Sequence, residues 1–356
     1  MEDKLNFGDL SPSDIAELIS GFNERPYRAN QLTNWVYKKN VTSFDEMSDL
    51  SLSFREKLKQ NLTLNFPVSL VENKTSKDGT KKYLFILHDG EKIESVLIPE
   101  KGRKTLCVSS QVGCAIGCTF CLTGMVGKRR NLSPSEIVGQ FLKVRDMEEK
   151  VTNIVFMGMG EPLDNINNLI KSLEILIDQN FIGFSKRRIT VSTSGLVPQI
   201  KELGKSISVN LSISLNAPSD RLRNEIMPIN KRYPIEELLK ATKEYPQPRR
   251  KFITFEYVLL KGINDSNQDA VSLGELLRGM KCKVNLIPFN EANPLPYKTP
   301  DRETVLNFQE ILSGFGINVK IRKNRGRDIL GACGQLAANY PLDKNNRETK
   351  PISQVR

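Results

Sequence analysis

The chain has 356 residues, of which 39% are hydrophobic and 26% charged, an ordinary composition for a globular protein with one large domain and a smaller one. No apolar run approaches the ~20 residues of a membrane helix, and the acidic, polar start does not fit a signal peptide, so we expect a cytoplasmic protein with no membrane partner. The six cysteines are too few for a disulfide scaffold and are better explained as ligands or catalysts, while the net charge of +11 favours a polyanionic partner.

The first part of the chain predicts helices followed by short strands. Up to about residue 60, cap-like residues precede apolar residues at helical spacing. Between residues 68 and 99, the turn signals Asp78-Gly79 and Asp89-Gly90 separate strand-like runs. We therefore predict a small accessory domain over residues 1–95.

From about residue 105 the pattern alternates between strands and helices. This alternation predicts a parallel α/β architecture, either a barrel or an open sheet, over residues 96–340. Residues 341–356 form a polar tail. The predicted strands are 106–108, 153–156, 189–191, 211–213, 252–255, 284–287 and 319–321, and predicted helices between them include 133–149, 168–178, 235–244 and 265–280.

Three closely spaced cysteines follow the first of these strands. Cys114, Cys118 and Cys121 fit one loop of a [4Fe–4S] cluster, whose fourth iron would stay open for chemistry. The alternative is a structural zinc site completed by Cys107 or Cys333. We favour the cluster, because a zinc site usually takes its ligands from two separate pairs.

Polar side chains and glycines follow the later strands, and we expect them to meet at one rim. Gly160 permits a close backbone approach, and Glu161 could accept hydrogen bonds from an ammonium group of an amino-acid-type cofactor. An ordinary strand-to-helix turn is an equal alternative for this segment. The other candidates at this rim are Ser192, Ser214, Leu215, Asn216 and Asn290.

The remaining cysteines divide by context. Cys333 lies between glycines and close to basic residues, a setting that lowers the pKa of a thiol, and Cys107 lies on the strand that leads to the triplet. A buried, inert cysteine is the alternative for both. Cys282 opens an apolar strand and is predicted to be core, and His88, the one histidine, adjoins a turn and is not expected to catalyse.

Basic residues form clusters along the chain. One cluster alone is readily explained as solvated surface, but several together favour a polyanion, most simply RNA, which we also expect the accessory domain to contact. Charge alone does not distinguish RNA from DNA. The clusters are 101–104, 128–130, 186–188, 231–232, 249–251 and 322–327.

Several longer motifs resemble one family. Cys-x3-Cys-x2-Cys and Met157-Gly-Met-Gly-Glu161 resemble the radical S-adenosylmethionine (SAM) superfamily. The sequence around these motifs resembles the RlmN/Cfr family of RNA adenine methyltransferases over roughly residues 90–340. The segments that carry this resemblance are 107–114, 185–195, 227–230, 262–265, 285–290 and 332–336.

The resemblance implies a partial (β/α)6-type radical SAM barrel with a [4Fe–4S] cluster held by Cys114, Cys118 and Cys121, whose open iron SAM chelates. It implies SAM contacts at positions where this chain has Asn216 in place of the histidine of some relatives. The remaining implied SAM contacts are Gly160, Glu161, Ser192, Ser214, Leu215 and Asn290.

The resemblance also assigns the outlying thiols. Cys333 would carry a methyl group taken from one SAM, and a radical made from a second SAM would activate that group for addition to the adenine. Cys107 would then attack the sulfur and leave a Cys107–Cys333 disulfide, with Glu94 as proton acceptor. The adenine would have to leave its stack to reach such a site.

The resemblance implies methylation at C2 of adenine 2503 in 23S rRNA, and it leaves open whether adenine 37 of tRNA is a second substrate. It implies an electron donor such as flavodoxin, and we expect a monomer. The alternatives are a C8-specific enzyme of the Cfr branch, a radical SAM enzyme acting on a small molecule, and a zinc-binding RNA module without catalysis.

Overall fold

The computed structural model describes residues 4–148, 150–247 and 252–336, so the predicted polar tail and the basic cluster 249–251 lie outside the described residues. The α-helices, numbered in chain order, are α1 (Pro12–Gly21), α2 (Tyr27–Thr33), α3 (Leu52–Asn61), α4 (Leu122–Val126), α5 (Pro134–Met147), α6 (Ile166–Ile177), α7 (Val197–Ser206), α8 (Asp220–Ile226), α9 (Ile235–Glu244), α10 (Asn267–Leu276) and α11 (Arg302–Gly314). The strands are β1 (Leu5–Asn6), β2 (Leu62–Thr63), β3 (Val68–Thr75), β4 (Lys81–Leu87), β5 (Lys92–Glu100), β6 (Arg103–Cys107), β7 (Gln111–Val112), β8 (Arg130–Asn131), β9 (Asn153–Phe156), β10 (Ile189–Thr193), β11 (Asn210–Ser214), β12 (Ile253–Leu259), β13 (Cys282–Pro288) and β14 (Asn318–Ile321).

One 10-stranded sheet organises the molecule, with the order β14-β13-β12-β11-β10-β9-β6-β5-β4-β3. From β6 through β14 each neighbouring pair in this order is parallel, and helices connect the successive strands. Strands covered on both faces are apolar almost throughout, as in β12, where all but one residue are buried. The expectation of a parallel α/β fold is confirmed, and the sheet as a whole is mixed.

The antiparallel strands β3, β4 and β5 extend this sheet at its β6 edge. Because β5 spans residue 95 and pairs with β6, the hydrogen-bonded sheet is continuous across the boundary predicted there. The division into an accessory domain over residues 1–95 and a barrel over residues 96–340 stays a prediction.

The N-terminal helices pack against the barrel through aromatic side chains. The ring of Tyr37 lies 5.0 Å from that of Phe181 and 5.7 Å from that of Phe66. The Arg145 guanidinium in α5 donates to the carbonyl of Tyr37 at 2.6 Å. These contacts fix the helices predicted up to residue 60 to the outer side of the sheet.

Local signals explain where the helices begin and end. Ser133 caps α5 through a capping box with Glu136, and Pro134 occupies the first turn, where no N–H is needed. Ser266 caps α10 in the same way with Asp269, so the helix predicted over 265–280 begins later and ends earlier than expected. Cys282 opens β13 and is buried, as predicted.

No helix in the described ranges is both long enough and apolar enough to cross a membrane.

Candidate active site

A cavity opens at the carboxyl ends of the parallel strands, where β/α barrels carry their active sites. It gathers most of the residues that the sequence singles out from widely separated loops. Those that line it are Cys114, Cys118, Cys121, Gly160, Glu161, Ser192, Ser214, Asn216, Asn290 and Cys333. Leu215, Cys107 and Glu94 do not line it, although all three are buried close to lining segments.

The cysteine loop doubles back on itself between β7 and α4. Gly113 has φ +74°, and a Cβ there would meet the carbonyl oxygen of Gly127 at 1.7 Å, so only glycine fits. The amide of Cys114 donates to the same carbonyl at 3.1 Å. This contact closes the loop and turns the three thiols towards the cavity.

The three thiols lie in a low-dielectric setting. Burial raises the pKa of Cys114, Cys118 and Cys121, and each of them is raised further by a neighbouring cysteine. A thiolate in such a place needs a positive partner, and the irons of a cluster supply one.

The three thiols face one cavity from a single loop. Three cysteines on one loop suit a [4Fe–4S] cluster, in which each thiolate caps a different iron, whereas a structural zinc site takes four ligands.

Glu161 is buried at the floor of the cavity. Its Oε2 accepts hydrogen bonds from the amide and hydroxyl of Ser194 at 2.7 and 2.8 Å, and its Oε1 accepts from the amide of Leu163 at 3.1 Å. Burial raises the pKa of this carboxyl, and the hydrogen bonds from Ser194 oppose that rise. A carboxylate has room for about four such bonds, so an incoming ammonium group would still find an acceptor.

The glycine that precedes Glu161 has a structural reason of its own. Gly160 has φ +97°, and a Cβ there would lie 2.5 Å from the Cβ of Gln111. Gln111 belongs to β7, the strand that leads into the cysteine loop. The close backbone contact that Gly160 permits is therefore, in the first place, a contact with β7.

Two asparagines at the rim differ in whether the side-chain oxygen is free to accept a hydrogen bond from a ligand. Asn216 has φ +59°, and its side chain is engaged, accepting from the amide of Val258 at 2.8 Å. The Oδ1 of Asn290 is buried and finds no hydrogen-bond partner within the described residues. A buried acceptor without a partner is costly, so Asn290 favours a ligand that donates to it.

The segment that carries Cys333 lies directly against the cysteine loop. The amide of Leu122 donates to the carbonyl of Gly334 at 2.9 Å, and the hydroxyl of Thr123 donates to the carbonyl of Leu336 at 3.0 Å. Cys333 is exposed in the cavity, whereas Cys107 is buried behind it, and both are free thiols. Burial and the nearby Cys333 raise the pKa of Cys107 to about 12.

Lys82 links Glu94 to the segment that carries Cys333. Lys82 forms an ion pair with Glu94, with 2.9 Å between Nζ and Oε1, and donates to the carbonyl of Leu330 at 3.3 Å. Both charged side chains are buried. Glu94 is thus held on the same side of the sheet as the segment leading to Cys333.

Sequence reasoning missed three charged residues that the structure places in or beside the cavity. Arg322 and Glu256 line it, with 3.7 Å between their charged atoms, and Cys333 is the main cause of the raised pKa of Arg322. Lys82 was not singled out at all. Arg322 follows β14, so the strand-end rule that found Ser214 could have found it, but in the sequence it belongs to the basic cluster 322–327, which is interpreted as a sign of a polyanionic partner.

Comparisons with known proteins address the family. Residues 5–64 match the family model described as "Ribosomal RNA large subunit methyltransferase N-terminal domain", and residues 108–273 match "Radical SAM superfamily". The chain is 47% identical over 344 residues to the "Dual-specificity RNA methyltransferase RlmN" of Syntrophus aciditrophicus, covering 96% of this chain and 99% of that one. The chain belongs to the RlmN family.

Further relatives agree with this assignment. The RlmN protein of Syntrophobacter fumaroxidans is 49% identical over 335 residues, covering 93% of this chain and 98% of that one. The crystal structure of a radical SAM methyltransferase from Sphaerobacter thermophilus superimposes with a TM-score of 0.86 at 42% identity, covering 94% of this chain and 99% of that one.

Membership of the RlmN family confirms three expectations. The fold is the radical SAM α/β fold, the protein is a radical SAM methyltransferase, and its cofactors are a [4Fe–4S] cluster and SAM. The non-catalytic zinc module is not supported.

Proposed function

We propose that this chain methylates C2 of an adenine in ribosomal RNA, with tRNA as a second substrate. The RlmN relatives are named as dual-specificity RNA methyltransferases and match almost the whole chain, including the N-terminal region. The observation that carries the proposal is the meeting of Cys333 with the cysteine triplet and the strand-end polar residues in one cavity.

In this proposal the cavity holds two kinds of ligand. Cys114, Cys118 and Cys121 would hold the cluster, which would supply the electron for the reductive cleavage of SAM. Glu161 accepts from the ammonium group of SAM, and Asn290 offers its free Oδ1 to a donor on the same ligand. Gly160, Ser192, Ser214 and Asn216 line the cavity and would complete the SAM contacts. Leu215, which is buried and does not line the cavity, would contribute from its place between Ser214 and Asn216.

The remaining side chains handle the methyl group. Cys333 is exposed in the cavity beside Arg322, so its sulfur can accept a methyl group and present it to a base. Once the methyl carbon has bonded to C2 of the adenine, Cys107 would attack that sulfur as a thiolate, forming an S–S bond as the S–C bond breaks. The proton given up by the Cys107 thiol would balance the one taken up by the released carbon, which becomes the methyl group of the product. Glu94, held by Lys82, takes up the proton that leaves the adenine ring. Reduction of the disulfide by an outside thiol then restores both cysteines.

Nucleoside mass spectrometry tests the regiochemistry. Purified protein with SAM, a reductant and ribosomal RNA should give 2-methyladenosine, and tRNA should give it too. Formation of 8-methyladenosine alone would assign the chain to the Cfr branch instead.

The same preparation tests the metal assignment. Anaerobic reconstitution should give a brown protein with about four irons per chain, in keeping with a [4Fe–4S] cluster. Colourless protein with one zinc per chain would contradict the assignment of the triplet.

Three finer expectations belong to this proposal. A flavodoxin-type protein would supply the electron, the enzyme would act as a monomer, and it would work in the cytoplasm, where thiols such as Cys107 and Cys333 stay reduced. A pull-down with flavodoxin and light scattering of the holoenzyme test the first two.

A further inference from the structure

Arg223 in α8 is one of the largest fully buried side chains of the molecule, with 0% exposure. Its guanidinium donates to the carbonyls of Leu215 at 3.0 Å, Ser194 at 2.6 Å and Ser214 at 3.1 Å, and to Oδ1 of Asn230 at 2.8 Å. An arginine has five N–H donors in a rigid fork, so these four acceptors use most of them.

The carbonyls that Arg223 binds belong to two segments that line the cavity. Ser194 follows β10, and its amide and hydroxyl hold the carboxylate of Glu161. Ser214 and Leu215 end and follow β11. One guanidinium thus spans two neighbouring strand ends to which the proposed function assigns SAM contacts.

A hydrogen bond also joins α8, the helix that carries Arg223, to the cysteine loop. The carbonyl of Ile226, at the end of α8, accepts from the amide of Thr119 at 3.1 Å. Thr119 lies between Cys118 and Cys121, so α8 connects the triplet to the strand ends that Arg223 ties together. Met227, which follows the helix, lines the cavity itself.

The charge of Arg223 has no carboxylate in direct contact with it. Within the described residues, no Asp or Glu forms an ion pair with its guanidinium, and Asp220 acts on it from beyond Asn230, whose amide donates to Oδ1 of Asp220 at 2.8 Å. A buried cation whose counter-charge is not in contact is costly, and a further anion beside it would complete the site. A cluster held by three thiolates carries negative charge and lies on this side of α8.

We propose that Arg223 is a positioning residue that joins the cluster loop to the SAM-binding strand ends and supplies the fixed positive charge beside the cluster. This inference rests on the proposed function, because it takes the triplet as the cluster ligands. The hydrogen bonds set the geometry of SAM binding, and the charge stabilises the reduced cluster, which is more negative than the oxidised one.

Two substitutions separate the two parts of this role. Arg223→Gln removes the charge and most of the hydrogen bonds, so SAM affinity should fall about tenfold and the midpoint potential of the cluster should become more negative. Arg223→Lys keeps the charge but cannot reach four acceptors, so SAM affinity should fall while the potential stays close to wild type. Calorimetry with SAM and a redox titration followed by electron paramagnetic resonance, both on anaerobically reconstituted holoenzyme, give these values.

Arg221→Gln is the matched control, because Arg221 lies on the same helix with 82% of its side chain exposed and forms an ion pair with the exposed Glu225. It should leave both values unchanged. A wild-type potential in Arg223→Gln overturns the electrostatic part, and wild-type SAM affinity in both Arg223 variants overturns the positioning part. If Arg223→Gln does not fold, the SAM affinity of Arg223→Lys decides alone. Failure of the wild-type protein to bind iron or SAM contradicts the proposed function instead.

Discussion

The two outlying thiols have opposite surroundings, which suits them to different steps. Cys333 is exposed in the cavity, while Cys107 is buried on β6 with its pKa raised to about 12, first by burial and then by Cys333. A thiol with such a pKa is almost entirely protonated at neutral pH. These surroundings support the proposal that Cys333 reacts first and that Cys107 needs a proton acceptor before it attacks.

Replacing each thiol should stop the reaction at a different point. Cys333→Ala should abolish RNA methylation while SAM is still cleaved without product, since no residue carries the methyl group. Cys107→Ala should allow methylation of Cys333 but leave the RNA bound to it covalently, which a denaturing gel would detect. Cys282→Ala, a buried cysteine in β13 outside the cavity, serves as the control and should retain full turnover. Full activity in Cys333→Ala would eliminate the carrier role.

The raised pKa of Cys107 predicts a pH dependence with a definite sign. Because the thiolate is the attacking form and the pKa is about 12, its fraction rises about tenfold for each pH unit in the range below that value. The rate of product release in single turnover should therefore rise with pH between about 7 and 9. A rate that falls over this range would show that deprotonation of Cys107 does not limit release.

The buried pair of Lys82 and Glu94 predicts an effect on stability. Lys82→Met should leave the Glu94 carboxylate buried without its lysine and lower the free energy of unfolding by about 3 kcal/mol. The double variant Lys82→Met/Glu94→Gln should recover part of that loss, because no buried charge is left unpaired. Urea denaturation of the three proteins measures both effects, and a double variant less stable than Lys82→Met would contradict this explanation.

At the scale of elements, the turn between β3 and β4 holds the segment that leads to Cys333. Asp328 accepts from the hydroxyl of Ser76 at 2.5 Å and from the amide of Lys77 at 3.2 Å, and Asp78 accepts from the amide of Gly326 at 3.0 Å. The hydrogen bonds from Ser76 and Lys77 lower the pKa of Asp328. The contacts it makes are therefore fully formed at neutral pH and are lost only as the pH falls through that lowered value.

Removing the hydrogen bonds of Asp328 to this turn should slow the methylation of Cys333. In Asp328→Asn the segment 322–336 should exchange its amide hydrogens faster, and methylation of Cys333 should slow by about tenfold, the cost of a misplaced reacting group being of this order or larger. Asp89→Asn, in the neighbouring turn between β4 and β5, breaks a contact with Arg130 and should not affect the segment. Equal effects of the two variants would show that the β3–β4 turn has no specific role.

The elements themselves follow from the sequence where the local pattern decides them. The strand at Asn153–Phe156 and the helix at Ile235–Glu244 have the predicted bounds, because an apolar run marks the strand and buried apolar residues at helical spacing after Pro234 mark the helix. The strand-end rule also found most cavity residues, since parallel strands bring their carboxyl ends to one rim.

The contacts between distant segments could not be read from the sequence. Lys82 and Leu330 are 248 positions apart, and their hydrogen bond exists only because β4 and the Cys333 segment meet in space. Arg223 lies in the short helix α8, and the groups that accept hydrogen bonds from its guanidinium come from three other segments of the chain. Pattern and propensity are local, so they carry no signal for such partners.

At the scale of the whole molecule, the basic clusters are not equivalent. Lys128 and Arg130 form ion pairs with Asp164 and with Asp89, so that cluster is largely neutralised. Lys231 and Arg232 are exposed near the cavity side, following α8, with no ion pair among the described residues. The cluster 186–188 precedes β10 and so lies at the opposite end of the strands.

This distribution predicts which cations contact RNA. Charge reversal at Lys231 and Arg232 should weaken binding of ribosomal RNA and reduce the slope of affinity against salt by about two phosphate contacts. Charge reversal at Lys186 and Arg187 is the control and should change both much less. Binding titrations over a range of salt concentrations test this, and a larger effect at 186–187 would place the RNA on the other face.

The continuity of the sheet limits what could be separated from this enzyme. Val96 of β5 pairs with Cys107 of β6, so the accessory strands and this thiol share one hydrogen-bond ladder. A chain cut at residue 95 would lose Glu94 and Lys82 and leave half of β5 as an open edge, which invites pairing with other chains. The accessory strands thus support Cys107 and the segment that leads to Cys333 from outside the cavity. A minimal catalytic fragment, or a graft of the barrel onto another recognition domain, must therefore begin upstream of β3.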